Sequence, residues 1–258
     1  MRMPDYFKAG DGPVTIFLFH GAYGSKEYWP PAAEYFVGKG YRVVAWDAPG
    51  YGLSPLSDDH SIETMARAGA HLIRSLGTDR NILVAHSLGG VIAPRTVDLA
   101  EGRVQAAVIS SGANHLGAKD PNVIAEFEGR VKLLASNLSD KNHPALVSLF
   151  GPDSSGPVME LVKEVASCTR KDAFLKSIMA VTQYDATDAI SKLDIPVLLT
   201  GGRYDPICTP AMIEAYLPLI NKAEVHMFET AGHYSFSEVP EQFYEAVTAF
   251  LERQGLTP

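Results

Sequence analysis

The sequence lacks the features that mark several common protein classes. Only two of its 258 residues are cysteines, Cys168 and Cys208, and they are too far apart in the chain to suggest a disulfide framework. The apolar run Val14–Phe19 is far too short to span a bilayer. The net charge is -8 and no cluster of Lys and Arg offsets it, which argues against nucleic acid or an anionic membrane as the partner.

Signals for export and for metal binding are also missing. Pro4 and Asp5 stand where a secretory signal would need an apolar run, so a cytoplasmic protein is expected. No two of the eight histidines are paired at i, i+3 or i, i+4, and no cysteine joins them. We therefore expect no metal site.

Short apolar runs are the main structural signal in what remains, a chain that is 46% hydrophobic and 20% charged. Six runs are rich in Val, Ile and Leu: Val14–Phe19, Arg42–Trp46, Ile82–Ala85, Val104–Ser110, Pro196–Thr200 and Val225–Phe228. Runs that are apolar throughout, rather than alternating, favour strands covered on both faces, as in a parallel sheet.

Helical patterns lie between several of these runs. Ser61 is a candidate N-cap and Gly77 a candidate C′ residue for one helix. Its apolar face comprises Ile62, Met65, Ala66, Leu72, Ile73 and Leu76. A second apolar stripe ends at Gly255 and comprises Phe243, Ala246, Val247, Phe250 and Leu251. Strands that alternate with helices indicate βαβ units and an α/β fold.

The alternation lapses between about Asn114 and Asp188. This stretch shows no convincing strand and has two helix-like stripes, Val123, Ile124, Phe127, Val131, Leu134 and, further on, Phe174, Leu175, Ile178, Met179. Four prolines interrupt the pattern. The sequence therefore predicts a core domain of residues 1–113 and 189–258, with an all-helical insertion, residues 114–188, between two of its strands.

Chemistry is expected where the strands end, because ligands of open parallel sheets bind at the carboxyl ends of the strands. Ser87 follows the third run, Asp205 follows the fifth and His233 follows the sixth. One edge of the predicted sheet should therefore carry a serine, an aspartate and a histidine.

Ser87 stands in a pattern typical of a sharp strand-to-helix bend. Small residues lie two before and two after it, Ala85 and Gly89, which makes a variant of the nucleophile elbow with Ala in place of the first Gly. Such a bend exposes the hydroxyl and directs the N–H of Leu88 toward whatever the serine attacks. For Ser87 taken alone, an ordinary turn serine is the alternative.

Five segments, in this order and after these strands, resemble the α/β-hydrolase family over essentially the whole chain. They are HGA at His20–Ala22, DAPGYGLSP at Asp47–Pro55, AHSLGG at Ala85–Gly90, IPVLLTGGRYDP at Ile195–Pro206 and AGHYSFSEVPEQF at Ala231–Phe243. The resemblance implies an α/β-hydrolase fold, with a mostly parallel central sheet flanked by helices, and a helical cap (lid) at residues 114–188.

The resemblance also implies roles for individual residues. Ser87 would be the nucleophile, His233 the general base and then acid, and Asp205 the carboxylate that orients the imidazole. The backbone amides of Ala22 and Leu88 would form the oxyanion hole. These roles agree with the residue chemistry. A serine hydroxyl becomes a good nucleophile only when a base removes its proton, and histidine titrates near the working pH. The aspartate fixes the tautomer of that histidine.

Two further features narrow the chemistry. The strand Val104–Ser110 is followed by Ser111-Gly112-Ala113-Asn114 with no carboxylate, so Asp205 has no competitor for its role. A serine nucleophile weighs against dehalogenase and epoxide-hydrolase chemistry, which in this family uses an aspartate.

Pro94, seven residues after Ser87, should kink or shorten the helix that follows the elbow.

Other polar residues near the strand ends have structural interpretations. We expect His20 to brace the oxyanion loop, His86 to be structural, and Asp47 with Ser54 to shape a turn. Cys208 is expected to be a small packing residue. Five aromatic residues could line a pocket, although about half of them are expected to pack elsewhere: Tyr23, Tyr28, Trp29, Tyr204 and Tyr234.

The sequence thus predicts a capped serine hydrolase that cleaves a small or medium carboxylic ester or lactone through an acyl-enzyme. It would use no cofactor and no metal, and its partner would be a small, largely apolar substrate. Two alternatives stay open. The same triad serves carbon–carbon bond hydrolases, perhydrolases and cyanohydrin lyases in this family, and some relatives are ligand receptors without turnover.

Overall fold

A single sheet organises the protein. The computed structural model describes residues 2–113, 125, 129, 131–133 and 135–258. Within these residues the sheet has seven strands in the order β1-β3-β2-β4-β5-β6-β7. They are β1 Tyr6–Ala9, β2 Val14–Phe19, β3 Arg42–Trp46, β4 Arg80–His86, β5 Ala106–Ser110, β6 Val197–Gly202 and β7 Ala223–Phe228. β1 pairs antiparallel with β3, and every other pairing is parallel, which confirms the predicted fold class.

All six predicted strands are present. β2 and β3 have the predicted bounds, and the other four differ from the prediction by at most two residues at an end. The edge strand Tyr6–Ala9 was not predicted. Its residues alternate between exposed and half-buried, so it carries none of the continuous apolarity that identified the buried strands.

Ten α-helices have defined bounds within the same residues, and the described residues 125, 129, 131–133 and 135–136 are helical as well. The ten helices are α1 Pro30–Gly38, α2 Ile62–Leu76, α3 Leu88–Leu99, α4 Pro144–Val147, α5 Pro157–Ser167, α6 Lys171–Gln183, α7 Thr187–Ser191, α8 Pro210–Glu214, α9 Ser235–Glu238 and α10 Pro240–Arg253. Short 3-10 turns occur at Lys26–Tyr28 and Leu217–Leu219. None of the helices in the described part of the chain is both long and apolar enough to cross a membrane.

The two helices with clear sequence signals have the predicted ends. The Ser61 hydroxyl accepts a hydrogen bond from the Thr64 amide at the start of α2. Gly77 was predicted as the C′ residue; it directly follows the last residue of α2 but occupies the C-cap, with an extended backbone (φ -67°, ψ 159°). A side chain would be excluded there, since a Cβ atom would lie 2.6 Å from Asn81 Oδ1. Gly255, just beyond α10, does have a positive φ of 67°.

Pro94 lies inside α3 and does not end it. The helix continues to Leu99, five residues beyond the proline. Pro94 is buried in a helix whose other buried residues include Val91 and Ile92. The helix, which packs against the sheet and α2, is therefore not shortened at the proline, and the other predicted outcome, a kink, stays a prediction.

The core lies around the central strands, whose residues are almost completely buried. Helix α1 packs against α10, and α2 packs against α3. Burial on both faces of the sheet explains why the strands read as continuous apolar runs.

The segment between β5 and β6 contributes helices α4, α5, α6 and α7 and no strand among its described residues. In the second predicted stripe, Phe174 is buried on α6 and Met179 is 58% exposed. In the first stripe Val131 is buried, while Val123, Ile124, Phe127 and Leu134 lie outside the described residues. The division into a core and a cap stays a prediction, and α7 crosses its predicted boundary at residue 188.

Candidate active site

Three strand ends bring the predicted triad side chains together. Ser87 directly follows β4, Asp205 lies three residues after β6, and His233 lies five residues after β7. Ser87 Oγ is 2.9 Å from His233 Nε2, and His233 Nδ1 is 2.9 Å from Asp205 Oδ2. The imidazole and the carboxylate are buried, whereas Ser87 is partly open to solvent. The hydroxyl is therefore accessible and backed by a base whose orientation is fixed.

The backbone at Ser87 has the strained conformation of a sharp bend. Its φ is 50° and its ψ is -115°, an arrangement that costs a non-glycine residue on the order of 1–3 kcal/mol. The Ser87 amide donates to the carbonyl of Ser110 (2.9 Å), and the Gly89 amide donates to the carbonyl of His20 (3.1 Å). A Cβ atom at Gly89 would lie 2.7 Å from the backbone oxygen of Phe19, so only glycine fits there.

The predicted oxyanion-hole amides lie on either side of this bend. Leu88 is the first residue of α3, where backbone N–H groups have no partner within the helix. The neighbouring amides of Gly21 and Gly89 donate to Tyr28 Oη and to the His20 carbonyl. Among the hydrogen bonds of the described residues, the amides of Ala22 and Leu88 donate none. Both N–H groups can therefore serve a ligand, and their role in an oxyanion hole stays a prediction.

Asp205 is held by its own loop as well as by the histidine. Oδ2 faces the imidazole, while Oδ1 accepts hydrogen bonds from the amides of Ile207 (2.8 Å) and Cys208 (2.9 Å). The loop thus orients the carboxylate before it meets His233. The histidine then donates from Nδ1, which leaves Nε2 free to accept the Ser87 proton.

Glu238 is a buried carboxylate to which the sequence assigned no role. It accepts hydrogen bonds from the amides of Gly232 (2.9 Å) and Tyr234 (2.9 Å), the two neighbours of His233. It also accepts from the Gly151 amide (2.6 Å) and from the Ser154 hydroxyl. These bonds tie the histidine loop to the segment between α4 and α5. The only sequence signal was an acidic residue five positions after the histidine, within the AGHYSFSEVPEQF segment.

The two other histidines near the site use both ring nitrogens in structural hydrogen bonds. His20 Nδ1 is 2.7 Å from the Gly21 carbonyl, and its Nε2 accepts from the Ala48 amide at 2.9 Å. This is the bracing arrangement predicted for His20. Burial lowers the pKa of His20 and lowers the pKa of His86 well below the ordinary value. Both shifts favour the neutral form of the ring.

Asp47 and Ser54 shape a turn, as predicted. The Asp47 carboxylate binds the Lys26 ammonium at 2.7 Å and the amides of Lys26 and Leu53. The Ser54 hydroxyl donates to the Asp47 carbonyl at 2.7 Å. These groups are occupied by the loop itself and are not available to a substrate.

Cys208 is buried beside the triad and has the packing role that was predicted. Its thiol lies 2.9 Å from the Ser111 carbonyl, and burial raises its pKa well above the ordinary value. The ligand atoms of Asp205, Cys208 and His233 lie within 4.8 Å of one another, the one such metal-sized group among the described residues. A protonated thiol and a carboxylate already bonded to the imidazole make this group a poor metal site.

Two of the five candidate pocket aromatics, Tyr23 and Tyr234, contact the inserted segment, and the Tyr234 ring also lies 5.3 Å from that of His233. The Tyr23 ring packs 5.5 Å from Phe174 on α6, and the Tyr234 ring stacks 5.0 Å from Phe150. Tyr28 and Trp29 pack in the core, and Tyr204 is 53% exposed. Tyr23 and Tyr234 are buried as well, so which of the five residues line a pocket stays a prediction.

Comparisons with known proteins agree with this architecture. The sequence model of the "Alpha/beta hydrolase family" matches residues 16–246. The chain is 27% identical to the "Non-heme chloroperoxidase" of Streptomyces lividans, covering 94% of this chain and 92% of that protein. It is 26% identical to the "Pimeloyl-[acyl-carrier protein] methyl ester esterase" of Neisseria meningitidis, covering 97% and 96%. Other curated relatives are named 2-hydroxy-6-oxononadienedioate/2-hydroxy-6-oxononatrienedioate hydrolase.

Solved structures show the same fold. An esterase from Exiguobacterium antarcticum superposes with a TM-score of 0.83 at 19% sequence identity, covering 96% of this chain and 94% of that one. At this identity the likeness establishes the fold and not the substrate.

Proposed function

The chain belongs to the alpha/beta hydrolase family, and from that premise we propose that it is a serine hydrolase of small or medium carboxylic esters or lactones. The observation that carries this proposal is the hydrogen-bonded series Ser87–His233–Asp205 at the carboxyl edge of the sheet. The named esterase activity of a curated relative supports the choice of esters.

The first half of the proposed reaction acylates the serine. His233 Nε2 takes the Ser87 proton while Oγ attacks the ester carbonyl, and Asp205 stabilises the imidazolium that forms. The oxyanion of the tetrahedral intermediate accepts hydrogen bonds from the amides of Ala22 and Leu88. As the C–O bond breaks, Nε2 gives its proton to the leaving alcohol, and the acyl group stays on Ser87.

The second half repeats these steps with water. His233 removes a proton from a water molecule, whose oxygen attacks the acyl carbonyl. The same two amides hold the second oxyanion. Collapse of this intermediate returns the proton to Ser87 and releases the carboxylic acid. Every proton is carried by His233, so the reaction needs no metal or cofactor.

The surroundings of the triad support an apolar substrate. Tyr23 and Tyr234 come from the core, and Phe150 and Phe174 come from the inserted residues 114–188 and pack on them. We propose that this segment is a cap over the site and that its aromatic contacts help to shape the pocket. A small-molecule partner, a cytoplasmic location and the absence of a nucleic-acid partner stay predictions.

A second candidate is carbon–carbon bond hydrolysis with the same triad. The curated relatives named for 2-hydroxy-6-oxononadienedioate favour it, since the chain covers most of their length. The relative named as a chloroperoxidase similarly supports a perhydrolase reaction as a further form of this second candidate. All three reactions begin from the same activated hydroxyl, so the triad geometry does not separate them.

A substrate panel separates the candidates. Purified protein and its Ser87→Ala variant are assayed on acyl esters of increasing chain length, on lactones, and on a vinylogous 1,5-diketone. We expect turnover of esters or lactones that is lost in Ser87→Ala. Cleavage of the diketone with no ester turnover would replace the ester proposal by the carbon–carbon one.

A further inference from the structure

We propose that Tyr28 and His86 are positioning residues that tie the predicted oxyanion loop to the backbone of His233. The inference rests on the proposed function and adds to it two groups that do not touch the reacting atoms. It is carried by a continuous series of buried hydrogen bonds between the two halves of the site. The sequence predicted this role for neither residue: it indicated a structural role for His86 and a possible pocket position for Tyr28.

The series has three bonds. The Gly21 amide donates to Tyr28 Oη at 2.6 Å, Tyr28 Oη is 3.1 Å from His86 Nδ1, and His86 Nε2 is 2.9 Å from the His233 carbonyl. Tyr28 and His86 are almost completely buried. Water therefore cannot replace a partner that is lost, and a buried group left unpaired costs about 1–3 kcal/mol.

With a neutral His86 ring, only one arrangement of protons satisfies the whole series. The His233 carbonyl can only accept, so His86 must carry its proton on Nε2. Nδ1 then accepts, so the Tyr28 hydroxyl donates to it and uses its oxygen to accept from Gly21. Burial keeps His86 neutral by lowering its pKa, which preserves this tautomer.

At one end the series holds the residue before Ala22. The Gly21 N–H is fixed by Tyr28, and the Gly21 carbonyl faces His20 Nδ1 at 2.7 Å. That carbonyl belongs to the same planar peptide unit as the Ala22 N–H, so fixing one fixes the direction of the other. His20 thus fixes the peptide unit that carries the predicted oxyanion donor, and Tyr28 fixes the peptide unit that precedes it.

At the other end the series holds the general base. The His233 amide donates to the Leu149 carbonyl at 2.6 Å, and the His233 carbonyl accepts from His86. The main chain of His233 is thus fixed on both sides while its ring is held between Ser87 and Asp205. A displacement of about 1 Å between reacting groups can lower a rate by about 10²-fold, so a shared link between donor and base has a catalytic consequence.

Aromatic packing allows the series to be tested without removing a ring. The Tyr28 ring lies 4.9 Å from Trp29 and 5.0 Å from Phe236. The His86 ring also lies 5.0 Å from Phe236 and 4.9 Å from Tyr234. The change Tyr28→Phe therefore keeps the packing and deletes only the hydroxyl that joins Gly21 to His86.

The matched control is Tyr41→Phe. Tyr41 is also a buried tyrosine in the core, but its hydroxyl has no hydrogen-bond partner among the described residues. Both variants lose one buried hydroxyl and keep the ring. A difference between them therefore measures the hydrogen-bond series and not the loss of an oxygen atom from the core.

The experiment compares steady-state kinetics of the wild type, Tyr28→Phe and Tyr41→Phe on the best ester of the panel. We expect kcat to fall about 10- to 100-fold in Tyr28→Phe, with KM changed by less than about threefold, because the donor and base are misplaced while the substrate pocket is kept. Tyr41→Phe should stay within about twofold of the wild type. Equal kcat values in the two variants would overturn the inference and leave the triad proposal intact.

A second set of variants and a spectroscopic measurement distinguish the loss of these hydrogen bonds from a general loss of stability. His86→Gln keeps an N–H donor and an oxygen acceptor, so it should recover part of the kcat that His86→Leu loses; equal losses would contradict a role through hydrogen bonds. In ¹⁵N spectra of wild-type protein, His86 should show a protonated Nε2 and an unprotonated Nδ1 whose signal shifts in Tyr28→Phe. The opposite tautomer would overturn the series, and this measurement does not depend on ester turnover. A lack of ester turnover in the wild type would contradict the proposed function separately.

Discussion

Each of the three triad residues is fixed by hydrogen bonds that lie outside the triad itself. The Ser87 amide is bound to Ser110, and the Asp205 carboxylate is bound to the amides of Ile207 and Cys208. The Glu238 carboxylate binds the amides on both sides of His233. The arrangement is therefore set in the absence of substrate, which is the condition for proton transfer and oxyanion binding without reorganisation.

Substitutions at His233 and Asp205 can show whether these residues serve catalysis or folding. We expect His233→Ala and Asp205→Asn each to lower ester kcat/KM by about 10³-fold or more, because the first removes the base and the second removes the acceptor that fixes its tautomer. Circular dichroism and thermal unfolding should stay close to those of the wild type. Near-normal turnover in His233→Ala would mean that the base is misassigned.

Glu238→Gln tests the anchor of the histidine loop. A glutamine keeps one acceptor oxygen but turns an NH₂ group toward backbone N–H donors, so one or more of the amides of Gly151, Gly232 and Tyr234 loses its partner. We expect the free energy of unfolding to fall by about 1–3 kcal/mol in urea titrations, together with a lower kcat. Glu241→Gln, an exposed change at the start of α10, is the control; it should leave kcat unchanged and lower the free energy of unfolding by less than about 1 kcal/mol, the size of a helix-dipole interaction. If Glu238→Gln changed neither the free energy of unfolding nor kcat, Glu238 would not anchor the histidine loop.

The elements differ in how far the sequence could predict them. β2, β3 and the capped helix α2 were predictable because each is defined by local signals, namely continuous apolarity or a Ser N-cap. β1 was not, since a half-exposed edge strand has no such run. Gly77 does follow the last residue of α2, but it occupies the C-cap and not the predicted C′ position. A Cβ atom there would lie 2.6 Å from Asn81 Oδ1 and from the Ile73 carbonyl oxygen, contacts that the capping pattern does not encode.

The elbow between β4 and α3 depends on glycine at position 89. A Cβ atom there would lie 2.7 Å from the Phe19 carbonyl oxygen and 2.9 Å from that of His20, and neither backbone oxygen can move away easily. We expect Gly89→Ala to destabilise the protein by about 1–3 kcal/mol and to lower ester turnover, because the bend that presents Ser87 must shift.

Gly38→Ala is the matched control for that change. Gly38 ends helix α1, and a Cβ atom at this position meets nothing within 4 Å. The free energy of unfolding should stay the same or rise by about 0.5–1 kcal/mol, because alanine loses less conformational entropy than glycine in a helix. If both alanine variants behaved alike in urea titrations and turnover, close packing at the elbow would not be the reason for its glycine.

At the scale of the whole molecule, strand topology assembles the site. β4, β6 and β7 are parallel, so residues 87, 205 and 233, although far apart in sequence, follow strand ends at one edge. The sequence predicted this meeting because it depends only on strand order and direction. It did not predict the supporting bonds of Tyr28, His86 and Glu238. Most of these go to backbone groups of other loops and leave no spacing pattern in the chain.

Buried histidines give the whole fold a predictable pH dependence. Burial lowers the pKa of His20 and of His86 in the folded protein, whereas in the unfolded chain both titrate near the ordinary value of about 6.5. Below that value the unfolded state binds more protons, so stability is lost as the pH falls. Each histidine contributes a slope of at most about 1.4 kcal/mol per pH unit, the limit for one bound proton. Urea titrations between pH 7.5 and 5 should show this decline, and a constant free energy of unfolding would contradict it.

Covalent labelling with a fluorophosphonate tests the central claim most directly, because only a serine activated by an aligned base reacts quickly with this reagent. Mass spectrometry of the folded protein should show a single adduct, mapped to Ser87, that is absent from Ser87→Ala and formed far more slowly in His233→Ala. No adduct on folded protein, or an adduct on another serine, would contradict the assignment and favour a ligand receptor built on the hydrolase fold.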